Sequence, residues 1–275
     1  MRATIALSLA LFCASAFAAN CEHHADRSFN VDRADIKILA AKLGSTDLKL
    51  RGVSGLSRIE VQARACASDA GDLDRLVVSQ KRDGDRLIIE TERNRDSYSF
   101  TLFGSSYAYL ELEIRVPLDL AIEVDTGSGD VDASDLASLK YAAGSGDLNV
   151  ENIVGELVVE VGSGDVEGSG IGSFHLVSTG SGDFNLDDIR GSVEVGKGGS
   201  GDLSFRKVTG SIQIGRIGSG DLDFSDVGGD VTVDSIGSGD IDADNVHGNL
   251  TVKSRGSSDI SHHDIGGKVD VPEED

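Results

Sequence analysis

No tryptophan occurs in the 275 residues, and only 5% of them are aromatic. A core built without such rings is mainly aliphatic, which suits a narrow stacked coil better than a broad ligand cavity. Basic residues are scarce too, with 25 Lys+Arg against 47 Asp+Glu and a formal net charge of −22. That field repels phosphate backbones and excludes nucleic acid as a partner. It favours cations, basic surfaces or plain solubility. The imbalance is uneven, since residues 126–275 carry 9 basic and 28 acidic side chains and residues 19–125 carry 15 and 19. After the first eighteen residues no stretch is long or apolar enough to cross a bilayer as a helix, so no transmembrane anchor is expected.

The familiar catalytic signatures are missing as well. There is no Gly-x-Ser-x-Gly elbow, no His-Glu-x-x-His and no phosphate-binding glycine loop followed by lysine. Acid pairs such as Asp187-Asp188 say little in so acidic a chain, and His175 and Lys197 have no evident partner. The sequence therefore assigns no catalytic, cofactor-binding or metal-binding residue, and the expectation is a protein that is not an enzyme. A polysaccharide-active β-helix enzyme is the lesser alternative.

The beginning of the chain is informative. Met1-Arg2 opens an apolar run from Ala3 to Phe12, and Ala16-Phe17-Ala18 supplies a small-x-small cleavage pattern. Residues 1–18 are read as a signal peptide, which places the mature protein in the periplasm or outside the cell. Neither Cys13 nor Cys21 follows the small residue that a lipid anchor would need. Cys13 leaves with the leader. Cys21 and Cys66 then read as one disulfide, tying the mature N-terminus to the end of a strand at 58–65; two free thiols are the alternative. Cys21 with His23 and His24 resembles a ligand set, but a cluster at a terminus makes a weak metal case.

What the chain has in abundance is a repeat. Gly-Ser-Gly-Asp recurs at Gly127, Gly144, Gly162, Gly180, Gly199, Gly218 and Gly237, and Gly256-Ser257-Ser258-Asp259 keeps three of the four residues. The intervals are 17, 18, 18, 19, 19, 19 and 19 residues. Within each unit apolar and polar residues alternate in two short runs, as at Leu222, Phe224, Val227, Val231 and Val233. Alternation marks strands with one buried face, and one such unit cannot bury that face alone. The expected fold is all-β: a parallel β-solenoid (β-helix) of about eight 17–19-residue coils over 126–271. Leu148, Phe184, Leu203, Leu222, Ile241 and Ile260 should form one internal ladder, and Val159, Val195, Ile214, Val233, Val252 and Val271 another.

In-register stacking would place Asp130, Asp147, Asp165, Asp183, Asp202, Asp221, Asp240 and Asp259 in a row. Glycine admits tight turns and aspartate accepts backbone N–H groups, so a structural role accounts for the motif. Carboxylates about 5 Å apart nevertheless repel. Outward splay, backbone hydrogen bonds or bound calcium could relieve this, although the nine-residue calcium repeat is absent.

Residues 19–125 are expected to form a β-rich N-terminal cap or irregular early coils. Gly44-Ser45-Thr46-Asp47 echoes the repeat, alternating segments follow at 59–65, 75–79, 86–92, 98–102 and 110–116, and Asp83-Gly84 reads as a turn. The third unit breaks its alternation at Gly168, Gly170 and Gly172 and is the candidate for an outward bulge. At the far end His262 stands at an apolar offset, and Pro272 with the acidic tail 272–275 discourages another strand. His262, His263 and Asp264 admit a metal reading, against the simpler one of a polar terminal coil.

The run from Leu110 to Pro117 leading into Ala121-Ile122-Glu123-Val124, followed by the Gly-Ser-Gly-Asp units, resembles the bacterial putative-adhesin β-strand-repeat family of exported proteins. The likeness covers roughly residues 35–271. It implies a parallel β-solenoid, export and an adhesive role, with no catalytic residues to carry over. The functional expectation is a non-enzymatic acidic binding module of the cell envelope, with a cell-surface, matrix or cell-wall component as partner. A self-associating structural envelope protein is the alternative.

Overall fold

The computed structural model of the protein describes residues 21–93 and 107–272. The leader at 1–18, the strand expected at 98–102 and the tail end at 273–275 lie outside the described residues.

Each repeat unit folds into one flattened coil. In the unit that starts at Gly218, the turn leads into strand Leu222–Val227, and a corner delivers the chain to strand Val231–Ile236. Leu222, Phe224, Val227, Val231, Val233 and Ile236 all point inward and are buried. The alternation legible in the sequence is therefore the inside and outside of a pleat.

Successive coils pair strand on strand, in parallel. A first ladder runs through Leu48–Val53, Val131–Leu136, Leu148–Val161, Val166–Thr179, Phe184–Ile189, Leu203–Val208, Leu222–Val227, Ile241–Val246 and Ile260–Ile265. A second joins Ile38–Gly44, Ala121–Thr126, Ser138–Ala143, the later halves of the two long strands, Val193–Gly198, Ile212–Ile217, Val231–Ile236, Leu250–Val252 and Val269–Asp270. The expected internal rows are both present: Phe184, Leu203, Leu222, Ile241 and Ile260 are consecutive register partners, as are Ile214, Val233 and Val252.

The third unit does not swell outward at its first glycine. Gly168 keeps register with Val150 on one side and Leu186 on the other. The same coil carries Phe174 on its second strand, with its ring 6.1 Å from that of Phe184 and 5.7 Å from that of Phe205. A missing side chain on one wall is thus accompanied by a large ring on the opposite one. The register slips between Ile153 and Glu156 of the preceding coil, where Val154 is left 70% exposed, and again beside Val159 and Glu160, where Val177 of the third unit is the extra residue.

The corner between the two strands of a coil holds a feature not anticipated above. Asp135, Asn152, Asp188, Lys207, Asp226, Asn245 and Asp264 all have positive φ, between 50° and 59°, and Gly170 occupies the same place at 70°. Asp, Asn and Gly tolerate this left-handed conformation; lysine does not. Lys207 gains little in return, since its pair with Asp187 at 3.1 Å is well exposed. Lys207→Asn should therefore stabilise the protein by about 0.5–1 kcal/mol. A thermal melt of the variant that fell below the parent would contradict this.

The N-terminal region resolves into one true coil and a cap. Ile38–Gly44 and Leu48–Val53, joined by the Gly44-Ser45-Thr46-Asp47 echo, stack directly beneath Ala121–Thr126 and Val131–Leu136. Arg86–Arg93 and Ala108–Pro117 lie on the opposite side of that coil, also in parallel. Beyond them the direction changes. Arg58–Ala67 runs antiparallel to Ala108–Pro117 and carries His23–Asp26 and Phe29–Asp32 on its other edge. Leu76–Asp83 closes the second ladder through a hairpin with Arg86–Arg93, with Gly84 at φ 61°. The strands expected at 59–65, 75–79, 86–92 and 110–116 are all found, as is the turn at Asp83-Gly84.

Candidate functional site

The aspartate row is explained by the backbone. The N–H of Asp130 donates to Asp47 Oδ1, and the pattern repeats through Asp147, Asp165, Asp183, Asp202, Asp221, Asp240 and Asp259, each donating to the aspartate of the coil before it at 2.8–3.1 Å. The expected mutual repulsion is met by these charge-assisted bonds, so the row needs no cation for its geometry. Asp47, from the echo unit, heads the row.

The glycine two positions after the start of each turn is demanded by the same stacking. A Cβ on Gly201 would lie 1.9 Å from the carbonyl oxygen of Gly182, and one on Gly220 1.9 Å from that of Gly201. At the first turned rung its place is taken by Thr46 and at the last by Ser258. The corner Gly-Ser-Gly-Asp is accordingly architecture, and the chemistry must be sought on the outer faces.

Near the start of the stack Tyr141 is fully buried, and its hydroxyl donates to the carbonyl of Gly146 at 2.7 Å. Burial, aided by the charges of Asp130 and Asp147, raises the phenol's pKa well above its ordinary value. The folded state therefore holds the proton where an unfolded tyrosine releases it. This contribution is complete below pH ~10 and declines as pH rises past that point. Tyr141→Phe should flatten the loss of stability above pH ~10, measured as the difference in urea midpoints between the two proteins; parallel pH profiles would rule it out.

Cys21 and Cys66 stand in disulfide geometry with Cα atoms 5.6 Å apart. Cys66 lies on Arg58–Ala67 opposite His24, so the bond ties the first described residues to that strand, as expected, and Cys21 is not available as a thiolate ligand beside His23 and His24. At the other end His262 pairs in register with Ala243 but is exposed, and Ile260–Ile265 pairs on that one side alone among the described residues. His263 and Asp264 meet Asp244 instead, with donor atoms within 4.8 Å of one another. All three are exposed, as a polar terminal coil requires. His175 faces outward between Val158 and Glu194, and Lys197 lies between Ser178 and Arg216.

One concave part of the outer surface was not marked by the sequence. Where the antiparallel cap strip joins the first ladder, a cavity of about 760 Å³ is lined by Asn30, Arg51, Arg58, Glu60, Arg115 and Ser134, among others. These residues come from five strands, and register pairing sets Asn30, Glu60, Arg115, Arg51 and Ser134 side by side in one cross-strand row. Arg58 and Arg115 both hold Glu60, at 2.9 and 3.0 Å, and the Glu60 side chain is only 14% exposed. Arg51 makes no hydrogen bond or ion pair with the described residues. A second depression of about 460 Å³ shares Arg51 and Ser134 and continues over Asn149, Glu151, Glu167 and Ser169. Together they form one trough running along the solenoid axis. Sequence reasoning missed it because its residues alternate as ordinary outward positions, and Asn30 and Glu60 join the others only through the antiparallel pairing of 58–67.

A family model described as Toastrack DUF4097 matches residues 60–226. No curated protein matches the chain. Among solved structures, the chain is similar to a putative adhesin from Bacteroides fragilis, at 13% identity and a TM-score of 0.44, covering 91% of this chain and 98% of that one. It is also similar to a putative cell adhesion protein from Clostridium sporogenes, at 9% identity and a TM-score of 0.37, over 91% of this chain and 100% of the other. A putative adhesin from Parabacteroides merdae gives 14% identity and a TM-score of 0.33, over 92% and 97%.

Proposed function

The chain belongs to the Toastrack DUF4097 family, and from that premise we propose that it is an exported, non-enzymatic binding module of the cell envelope that engages a surface, matrix or cell-wall component. The observation that carries the reading is the outer face of the first ladder. Its backbone groups are committed to neighbouring strands from Arg58–Ala67 to Ile241–Val246, so its outward side chains recur at strand spacing on a rigid support. Such a surface suits an elongated partner, and the trough gives it a concave stretch. Export is supported by the leader-like residues 1–18 and by a disulfide-spaced cysteine pair, which persists in oxidising compartments. No helix among the described residues is long and apolar enough to cross a membrane.

The purified protein beginning at Ala19 should sediment with insoluble cell-wall material or whole cells of its host. Sedimentation no greater than that of an unrelated acidic protein would remove the reading. Self-association is the second reading, favoured by the last coil: Ile260–Ile265 and Val269–Asp270 pair on one side alone among the described residues. A strict monomer at high concentration in analytical ultracentrifugation would eliminate it.

A further inference from the structure

We propose that the trough over Arg51 is a binding site for a carboxylate-bearing glycan chain, with an acid group of the chain seated on the Arg51 guanidinium. This rests on the binding-module reading above and names the ligand class of that module.

The shape comes first. The two depressions share Arg51 and Ser134 and cross seven adjacent strands, from Phe29–Asp32 to Val166–Thr179, a span of about 29 Å at normal strand spacing. The site is open and elongated, which favours a polymer over a compact small molecule. The lining is next. Arginine, asparagine, glutamine, serine and carboxylate groups dominate, and no aromatic residue contributes to either depression. Such walls match a hydroxyl-rich chain, which exchanges hydrogen bonds with donors and acceptors alike.

The floor then distinguishes glycan from peptide. A peptide captured by a sheet usually adds a strand at an edge, where backbone N–H and C=O groups are free. Here the part of the trough around Arg51 lies within the sheet, where each strand from Arg58–Ala67 to Val166–Thr179 is paired on both sides, and only its Asn30 end reaches a strand, Phe29–Asp32, paired on one side among the described residues. Recognition must therefore come from side chains, which suits a ligand whose own polar groups are carried along its whole length.

Charge selects the acid. Glu60 is already neutralised by Arg58 and Arg115, whereas Arg51, one strand further on, has no partner among the described residues. Lys49 is a second cation on the same strand, set in register between Glu113 and Asp132, which leaves Arg51 as the group that selects the acid. A guanidinium facing a groove is a fork matched to a carboxylate. Carboxylates share the lining, at Glu113, Asp132 and Asp135 around Arg51 and at Glu151 and Glu167 beyond it, so a densely charged polyanion would be repelled. A chain with acid groups among neutral hydroxylated units fits both halves.

The test uses the exported chain and three soluble probes: an oligogalacturonate partly esterified to leave isolated carboxylates, its fully esterified neutral form, and a poly-glutamate peptide of similar length. Calorimetry at low salt should show binding of the first, and Arg51→Ala should weaken it roughly tenfold, the worth of a charge-assisted pair. Arg51→Glu should abolish it, while Arg216→Glu on the other ladder should leave it intact. Unchanged melting temperatures would show that the exposed substitutions leave the fold alone. Equal binding of the neutral oligomer, or stronger binding of poly-glutamate, would overturn the assignment, as would insensitivity to Arg51→Glu. Absence of any probe binding while host wall material still retains the protein would also sink this inference and leave the binding-module reading standing; loss of both would sink both.

Discussion

Gly220→Ala is expected to destabilise the protein by about 3 kcal/mol, at the upper end of overpacking costs. The added Cβ would sit 1.9 Å from the carbonyl oxygen of Gly201, and the Gly239 backbone closes over Gly220 from the next coil. Relief requires the coils to separate by more than 1 Å. That would stretch the bonds from Asp221 N–H to Asp202 Oδ1 at 2.8 Å and from Ser219 N–H to the Gly199 carbonyl at 2.9 Å. Ser219→Ala, an exposed neighbour in the same turn, should change stability by no more than about 0.5 kcal/mol. Urea midpoints of the two variants that coincide would mean that the turns do not stack as closely as described. The last corner shows how the clash is met at a free end: Ser258 stands at this position, and the strand before it, Leu250–Val252, is three residues long where its neighbour Val231–Ile236 has six. A coil in the middle of the stack has no such freedom.

Truncating Phe205 to alanine should cost about 4 kcal/mol, the sum of lost transfer energy and the cavity left behind. Its ring is fully buried, lies 6.4 Å from Phe224 in a near-parallel stack at 8°, and faces Phe174 at 5.7 Å. Two rings from two other coils therefore lose a common neighbour. Phe205→Leu, which refills most of the volume, should recover more than half of the loss. If alanine and leucine proved equally mild in chemical denaturation, the rings would not be the centre of the core. The inward offset occupied by Phe205 changes in size along the stack. Going along the ladder it holds Ala133, Val150, Gly168, Leu186, Phe205, Phe224, Ala243 and His262. The side chains at this offset are largest in the fifth and sixth coils and end in a polar one.

Where the chain repeats, its architecture could be read directly, because a constant period forces each residue to meet its equivalent in the next coil. The inward rows, the aspartate row and the echo at Gly44 all follow from that single condition. The left-handed corner was also within reach, since the fifth residue after each corner aspartate is Asp, Asn or Gly in seven of eight units, with Lys207 the exception. Its conformational meaning is lost if only the apolar pattern is followed. The cap was legible as strands and not as partners: nothing in the alternation of 58–67 says that it runs antiparallel to 108–117. The trough inherits this difficulty. Arg51, Glu60 and Arg115 lie on three strands whose order in space differs from their order in the chain, so no local pattern announces them.

That difference in order bears on how the protein is made. The coil of Ile38–Val53 is completed early, yet the chain then departs for more than sixty residues to build the strip on one side before returning to lay Ala121–Thr126 on the other. Later coils need to close loops of only 17–19 residues, whereas the cap must bring together segments far apart along the chain. Assembly should therefore start among the downstream rungs and spread backward, with the segment synthesised first the last to find its place.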